Sequence, residues 1–437
     1  MRDALSLASP GAAPAAPRPR LVVVGNGMAG VRTLEELWKV APDAYDITVF
    51  GAEPHPNYNR ILLSPVLAGE QTLEQIVLNG WDWYREHGIT LHAGRTVTAV
   101  DRHRRSVRAV DRAGCVTEAP YDRLLLATGS TPFLPPIPGT DLTGVLAYRD
   151  IADTETMIAA TRTYRQAVVI GGGLLGLEAA HGLLRRGMQV TVVHAHGWLM
   201  ERQLDAVASG LLRRSLEQRG LRIRLSARTE ALRGNAEGRV CAVHLADGSH
   251  IPADLVVMAT GVRPNTALAE SMRLHCQRGI VVHDTLQSVT DARIYAVGEC
   301  AAHRGVAYGL VAPLFEQAKV AANHLAQLGT GRYQGSLTST RLKVSGIDLF
   351  SVGNFMGGEG TEEIVMTDPF GGVYRKLVIQ DDKLVGACLY GDTAEGPWYV
   401  TLLREGRNIA ELRDQLMFGQ AGGGDAGHPA PAAALVA

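Results

Sequence analysis

Two glycine-rich segments have the residue types and the spacing needed to bind phosphate groups. They consist of Gly25, Asn26, Gly27, Met28, Ala29 and Gly30, and of Gly171, Gly172, Gly173, Leu174, Leu175 and Gly176. In a G-x-G-x-x-G turn, the first glycine makes a tight turn, the second lets the backbone approach a pyrophosphate, and the third lets a helix pack closely on a strand. The N–H groups of the helix then face the phosphates. The two segments therefore predict two dinucleotide sites.

The position that binds the ribose hydroxyls, at the end of the second strand of such a unit, is less regular in this sequence. An acidic residue usually occupies it. In the first unit this position is Gly51, and Glu53 follows two residues later. In the second unit it is His194, and either His196 or, further on, Arg202 could face a 2′-phosphate. We therefore expect Glu53 and His194 at the two ribose sites, and the choice between NADH and NADPH stays open.

Each glycine segment lies between stretches that have the pattern of a strand, a helix and a second strand. Apolar runs predict buried strands at 21–24, 47–50, 167–170 and 190–193, with helices at 28–40 and 177–186. Two more apolar strands end in the same tripeptide, Ala127-Thr128-Gly129 and Ala259-Thr260-Gly261. These patterns predict an α/β fold with two Rossmann-like units in one chain.

A third motif follows the second unit. The run 291–300 reads as a strand that ends in Gly298 and Glu299, with a helix expected from about Pro313. A glutamate there can accept hydrogen bonds from sugar-like hydroxyls, and the glycine leaves room for a ligand. A solvent-facing strand end remains the alternative interpretation of this motif on its own.

The C-terminal part has a different pattern. Alternating segments predict antiparallel strands at 342–344, 374–379 and 383–389, and helices are expected at 398–404 and 409–417. We therefore expect a small α+β domain after the two Rossmann-like units. The predicted limits are a disordered tail at 1–20, a first dinucleotide-binding domain at 21–150 and 276–330, a second dinucleotide-binding domain at 151–275, the C-terminal domain at 331–418 and a second disordered tail at 419–437.

Composition excludes several classes of function. The formal net charge of −1 provides no broad basic surface for nucleic acid, and no apolar run reaches the roughly 20 residues that a membrane span needs. The five cysteines contain no C-x-x-C pair, which argues against a redox-active disulfide, a zinc knuckle and an iron–sulfur cluster built by this chain alone. We expect reduced thiols, a cytoplasmic location and no metal site.

In this order, the two glycine turns, the two Ala-Thr-Gly exits and the Gly298-Glu299 motif resemble the pyridine nucleotide-dependent flavoprotein reductases. The resemblance implies that the first unit binds FAD and the second binds NADH or NADPH. It also implies that Gly298 and Glu299 hold the ribityl chain and that Thr128 and Gly129 lie beside FAD.

A closer resemblance is to the flavoprotein part of the large subunit of NAD(P)H-dependent assimilatory nitrite reductases. It rests on the run 51–60 with Leu63 and Ser64, on Arg202-Gln203-Leu204-Asp205, on the run 309–313 and on the run 342–348. It implies that Arg60, Ser64, Val97, Ala127 and Pro313 contact FAD, and that Leu174, Leu175, Glu178, Thr260 and Gly261 contact the nicotinamide nucleotide. No residue is predicted with certainty to be catalytic.

The sequence also departs from these families. In ferredoxin and rubredoxin reductases a lysine follows the serine of this segment, whereas here Pro65 follows Ser64. The full-length nitrite reductases continue into a cysteine-rich segment and a siroheme domain, which this sequence does not contain. We therefore expect electrons to pass to a small redox protein, or to a separate siroheme, iron–sulfur or molybdenum reductase subunit. A homodimer is also expected.

Two other functions stay open. One is a ferredoxin- or rubredoxin-type reductase unrelated to nitrogen, and the other is a non-enzymatic module that senses flavin and NADH.

Overall fold

The computed structural model describes residues 17–344, 346–368 and 370–419. The predicted tails therefore lie outside the described residues, except for 17–20 and 419, and Ser345 of the family motif lies outside them too. Arg20 is the first residue of the first strand, so the predicted N-terminal tail at 1–20 extends one residue too far. The other domain limits stay predictions.

The first parallel sheet carries the first glycine turn. Its strands lie in the order Ile294–Ala296, Arg123–Leu126, Arg20–Val24, Asp46–Gly51 and Thr90–Ala93, all parallel. Leu21, Val23 and Leu125 are fully buried, as expected for strands covered on both faces. The helices Met28–Val40 and Val311–Leu325 pack against each other beside it. The predicted helix 28–40 is confirmed.

A second parallel sheet repeats this design. Its order is Val145–Ala147, Leu255–Met258, Gln166–Ile170, Gln189–Val193 and Arg222–Arg224. The helices Ile151–Thr163, Leu174–Arg185 and Ala206–Gln218 belong to this half of the molecule. The second glycine helix begins at Leu174 and not at 177 as predicted, because Gly173 is the last extended residue and Gly176 lies inside the first helical turn.

Smaller elements connect and flank the two sheets. Two three-stranded antiparallel sheets consist of Arg95–Asp101, Ser106–Asp111 and Val116–Pro120, and of Thr229–Gly234, Val240–Leu245 and His250–Pro252. Short pairs join Asn57–Tyr58 to Val77–Asn79, Ser130–Pro132 to Val262–Pro264, and Ile280–Val282 to Ala301–His303. Short helices are Leu63–Ala68, Trp81–Glu86 and Ala267–Ser271. The pair 130–132 with 262–264 joins the chain just after the two Ala-Thr-Gly exits.

The C-terminal part is a five-stranded antiparallel sheet with one long helix. The strand order is Ser339–Val344, Ile347–Gly353, Lys383–Tyr390, Val373–Gln380 and Glu362–Asp368, and the helix is Gly396–Glu405. The sequence analysis missed the strands 347–353 and 362–368. Together with the two parallel sheets, this architecture confirms the predicted α/β class with a C-terminal α+β part.

The helix predicted at 409–417 is wrong. The segment contains only the 3-10 turn Ala410–Leu412, followed by further turns. Its late carbonyls are bound by side chains from elsewhere: Tyr399 donates to the Leu416 carbonyl at 2.7 Å, and Arg375 donates to the Met417 carbonyl at 2.5 Å. These two carbonyls would lie in the last turn of the predicted helix and would have no donor inside it, so the side-chain hydrogen bonds anchor the end of the segment without requiring a helix.

Within the described ranges, no helix combines the length and the apolar character that crossing a membrane requires.

Candidate functional site

A cavity of about 2120 Å³ lies where the first sheet, the second glycine helix and the C-terminal sheet meet. Most of the residues predicted for FAD line it: Gly25, Asn26, Gly27, Met28, Ala29, Glu53, Arg60, Ser64, Val97, Ala127, Thr128, Gly129, Gly298 and Glu299. From the predicted nicotinamide set it is lined by Leu174, Leu175 and Glu178. Gly30, Pro313, Gly171, Gly173, Gly176, His194, Thr260 and Gly261 are not part of its lining. The neighbours of Pro313, Ala312 and Leu314, line it instead.

The first glycine turn fits a pyrophosphate. Gly25 has a φ of +113°, and a Cβ there would lie 2.1 Å from the Ala127 carbonyl oxygen. A Cβ on Gly30 would lie 2.6 Å from the Gly25 oxygen, so this glycine allows the helix to pack against the turn. A Cβ on Gly27, in contrast, would meet nothing within 4 Å and faces the cavity. Of these three positions, the turn is therefore sterically open only at Gly27, where a pyrophosphate would approach the backbone.

Glu53 lies at the edge of this cradle. Its carboxylate accepts hydrogen bonds from the Tyr58 hydroxyl at 2.7 Å and from the Arg60 guanidinium at 2.5 Å. Arg60 also donates to the Arg149 carbonyl at 2.5 Å. Burial raises the pKa of the Tyr58 phenol, so Tyr58 stays a donor at neutral pH. Two donors thus hold the Glu53 carboxylate in place, and it can accept hydrogen bonds from ribose hydroxyls.

The Gly298-Glu299 motif lies beside the first glycine turn. Gly298 has a φ of +87°, and a Cβ there would lie 2.9 Å from the Ala29 Cβ. Its N–H donates to the Gln317 side chain at 2.9 Å. Glu299 accepts a hydrogen bond from Ser130 at 2.8 Å and forms an ion pair with Arg149. This strand end therefore faces the cavity and not the solvent, which resolves the alternative left by the sequence.

Ser64 and Glu178 bring the two Rossmann-like units into direct contact. Ser64 lies on the helix Leu63–Ala68 and donates to the Glu178 carboxylate at 2.6 Å, while Tyr148 donates to the Ser64 hydroxyl at 3.3 Å. Burial raises the pKa of Glu178 to about 7, although the Ser64 hydrogen bond lowers it in part. Sequence reasoning placed Ser64 with FAD and Glu178 with the nicotinamide nucleotide. The structure joins them at one point of the cavity.

The second glycine turn repeats the geometry of the first. Gly171 has a φ of +124°, and a Cβ there would lie 2.1 Å from the Ala259 oxygen. A Cβ on Gly176 would lie 2.0 Å from the Gly171 oxygen, whereas one on Gly173 would meet nothing within 4 Å. The exit residue Thr260 donates to the Phe133 carbonyl at 2.5 Å, and Gly261 follows with a φ of +113°. This turn therefore also fits a pyrophosphate, at Gly173.

The two units fill the space between turn and strand end in opposite ways. In the first unit Asn26 lies over Gly51, and a Cβ on Gly51 would be 2.9 Å from the Asn26 Cβ. In the second unit the side chain comes from the strand end: His194 lies over Gly172, where a Cβ would be 2.7 Å from the His194 Cγ. Gly172 was not singled out from the sequence as a site residue.

His194 is buried, and both of its ring nitrogens are engaged. The Gly172 N–H donates to Nδ1 at 3.0 Å, and Nε2 lies 3.0 Å from a carboxylate oxygen of Glu201. Sequence reasoning missed Glu201, because it follows the strand end by several residues and no spacing rule points to it. Its carboxylate nevertheless lies beside His194, which occupies the position where an acid is usually found.

The cysteines are free in the part of the chain that the structure describes. Cys300, next to Glu299, is fully buried, its thiol lies 3.3 Å from the Val297 carbonyl oxygen, and burial raises the pKa of the thiol. It is therefore placed as a packed side chain and not as a reactive thiolate.

Two family models match the chain. The pyridine nucleotide-disulphide oxidoreductase model matches residues 19–324, and the rubredoxin NAD⁺ reductase C-terminal domain matches residues 339–407. Among solved structures, putidaredoxin reductase in its covalent complex with putidaredoxin is similar with a TM-score of 0.80 and 26% identity, over 93% of this chain and 100% of that chain.

Two curated relatives come from Bacillus subtilis (strain 168). A nitrite reductase, NAD(P)H, is 51% identical over 396 residues, which are 90% of this chain and 48% of the relative. An assimilatory nitrate reductase electron transfer subunit is 46% identical over 398 residues, which are 91% of this chain and 51% of the relative. The chain spans about half the length of these two proteins.

These matches confirm the resemblance to the flavoprotein part of nitrite reductases. They also confirm the expected cofactor classes and reaction class. The chain therefore belongs to the pyridine nucleotide-disulphide oxidoreductase family and is an oxidoreductase that uses FAD and NAD(P)H.

Proposed function

We propose that the chain takes a hydride from NAD(P)H onto FAD and passes the electrons to a separate redox protein in nitrite or nitrate assimilation. The observation that carries this proposal is the Ser64–Glu178 hydrogen bond, because it brings the first unit and the second glycine helix together on one cavity wall. The names of the two Bacillus relatives support the link to nitrogen.

The first unit provides the proposed FAD site. The N-terminus of the helix Met28–Val40 and the open face at Gly27 are suited to the pyrophosphate. We expect Glu53 to accept hydrogen bonds from the ribose and Glu299 to accept them from the ribityl chain. Arg60 and Arg149 compensate the charge of these two carboxylates, so the negative charge close to the phosphates stays small.

The second unit provides the proposed NAD(P)H site. Gly173 and the N-terminus of the helix Leu174–Arg185 are suited to the second pyrophosphate, and one turn later Glu178 lies at the cavity. Leu174 and Leu175 contribute apolar wall there. When bound, the flavin supplies hydride acceptance and the release of single electrons. The protein positions the two groups.

A separate redox protein is the proposed acceptor. Three arginines line the mouth of the cavity and are exposed: Arg185, Arg219 and Arg341. Among the described residues none of the three has an ion-pair partner within 4.0 Å. An acidic surface on a small iron–sulfur protein, or on a siroheme or molybdenum reductase subunit, would complement them. We further propose a cytoplasmic location, which the free cysteines support, and a homodimer.

Anaerobic stopped-flow mixing tests the proposal. The FAD-loaded protein is mixed with NADH or NADPH, and the reduced protein is then mixed with oxidised ferredoxin, rubredoxin or a cluster-bearing nitrite reductase partner. We expect rapid bleaching of the flavin absorbance and rapid reoxidation by one of these proteins. Fast reoxidation by ferredoxin or rubredoxin alone would indicate a reductase unrelated to nitrogen. A flavin that bleaches with neither nucleotide would contradict hydride transfer and leave a sensing module.

A further inference from the structure

In the second Rossmann-like unit, the strand that usually ends in an acidic residue is followed by a histidine. A carboxylate from the loop after it nevertheless lies at the same place. The strand Gln189–Val193 is followed by His194, and the loop after it returns Glu201 to the same place. The Glu201 side chain is 28% exposed, so it is anchored on the protein and still open to a ligand.

The hydrogen bonds of His194 define the charge at this point. Because the Gly172 N–H can only donate, Nδ1 must accept and carries no proton. The ring proton is then on Nε2, which donates to Glu201 Oε2 at 3.0 Å. A neutral histidine therefore holds the carboxylate, and the negative charge of Glu201 is not cancelled. His196, 65% exposed, lies 3.8 Å from the other carboxylate oxygen.

The backbone before Glu201 is fixed in an unusual conformation. Met200 is fully buried and has a φ of +53°, in the left-handed region that non-glycine residues rarely adopt. Its N–H donates to the Gly172 carbonyl at 3.0 Å, and the Leu199 N–H donates to the Ser209 hydroxyl at 2.8 Å. The loop is thus docked on the second glycine turn, and the strained residue directs Glu201 toward that turn.

Arg202 is the competing group. It is exposed, and among the described residues it has neither an ion pair nor a side-chain hydrogen bond. A solvent-exposed arginine without a partner has no interaction that holds its side chain in one position. Glu201 is held by His194 and Arg202 is not, so we expect the negative charge to dominate at the ribose.

We propose that Glu201 is the specificity-determining residue of the nucleotide site: it accepts hydrogen bonds from the adenosine ribose hydroxyls of NADH and repels the 2′-phosphate of NADPH. The proposal rests on the proposed function, since it requires the nicotinamide nucleotide to bind at the second glycine turn. Glu201 takes the place of the acid that is usually found at the strand end. This assignment selects NADH over NADPH, a choice that His194 left open.

Equilibrium binding of NAD⁺ and NADP⁺ to the FAD-loaded protein tests it, by calorimetry and without turnover. Wild type should bind NAD⁺ at least about tenfold more tightly than NADP⁺. Glu201→Gln keeps the shape and removes the charge, and it should reduce this ratio about tenfold, mainly through tighter NADP⁺ binding. Glu237→Gln, an exposed glutamate of the same unit, makes the same change in net charge and should leave the ratio unchanged.

Three results would overturn the inference. They are a wild type that binds NADP⁺ as tightly as NAD⁺, an unchanged ratio in Glu201→Gln, and an equal change in the Glu237→Gln control. In the first two cases the proposed function survives, because a nucleotide still binds. If neither nucleotide binds to folded, FAD-loaded wild type, the proposed function fails and this inference fails with it.

Discussion

Protonation of the Glu178 carboxyl makes the stability of the fold depend on pH. Burial raises its pKa from 4.5 to about 7, so the folded chain retains a proton that the unfolded chain releases. The resulting stabilisation is complete below pH 4.5 and is lost as the pH rises to about 7. Glu178→Gln cannot ionise, so it should exceed the stability of wild type by less than about 1 kcal/mol at pH 5 and by about 2–3 kcal/mol at pH 8.

Thermal unfolding with excess FAD at the two pH values measures this difference. Glu155→Gln, at an exposed position of the helix Ile151–Thr163, is the control and should show no pH-dependent difference from wild type. A constant gap between Glu178→Gln and wild type across this range would show that the carboxyl does not titrate as inferred.

Two neighbouring glycines separate a packing role from a binding role. A Cβ on Gly172 would lie 2.7 Å from atoms of His194 and Leu199, so Gly172→Ala should lower stability by about 1–3 kcal/mol. A Cβ on Gly173 would meet no protein atom within 4 Å. Gly173→Ala should therefore keep the wild-type Tm and lose NAD⁺ affinity, because the methyl group occupies space meant for the pyrophosphate. Calorimetry and thermal unfolding distinguish the two, and equal losses of Tm would contradict the assignment.

At the scale of elements, the parts that a local pattern encodes could be predicted. The helix 28–40 and the glycine turns were predictable because apolar runs, glycine spacing and helix periodicity agree there. The helix predicted at 409–417 was wrong: the segment folds as turns, and the distant side chains of Tyr399 and Arg375 fix its position through hydrogen bonds to its last carbonyls. Glu201 was missed for the same physical reason: its position depends on contacts across the fold that no local spacing records.

The helix Ala206–Gln218 depends on a contact with the C-terminal sheet. Its N-cap Asp205 accepts from the Ala208 N–H at 2.9 Å and from the buried Tyr374 hydroxyl at 2.6 Å, and the Lys376 ammonium lies 4.0 Å away. Tyr374→Phe removes one donor from a buried carboxylate and should cost about 1–3 kcal/mol. Tyr390→Phe in the same sheet removes only a 3.4 Å bond to the Leu211 carbonyl and should cost clearly less.

Denaturant unfolding of the two tyrosine variants compares these losses directly. If Tyr390→Phe destabilised the protein as much as Tyr374→Phe, the Asp205 contact would not be the link between the helix and the sheet.

At the scale of the whole molecule, the charges at the cavity mouth should control the encounter with the acceptor. Replacing Arg219 by alanine should slow reoxidation by an acidic partner several-fold at low ionic strength and much less at high salt. Reduction by the nicotinamide nucleotide should stay unchanged. Arg104→Ala, on a solvated turn with a side chain 87% exposed, is the matched control. Stopped-flow rates across ionic strength test this, and a larger effect of Arg104 would move the docking surface to that turn.

The opposite filling of the two glycine turns has a consequence for redesign. Asn26 with Gly51, and Gly172 with His194, each share one small volume that admits a single side chain. Two large residues at such a pair would collide, and two glycines would leave a void. Adding a side chain at the strand end of the first half is therefore a problem of two coupled positions: a library that varies Gly51 alone would set every new Cβ against Asn26, whereas a library that also varies Asn26 can make room for it.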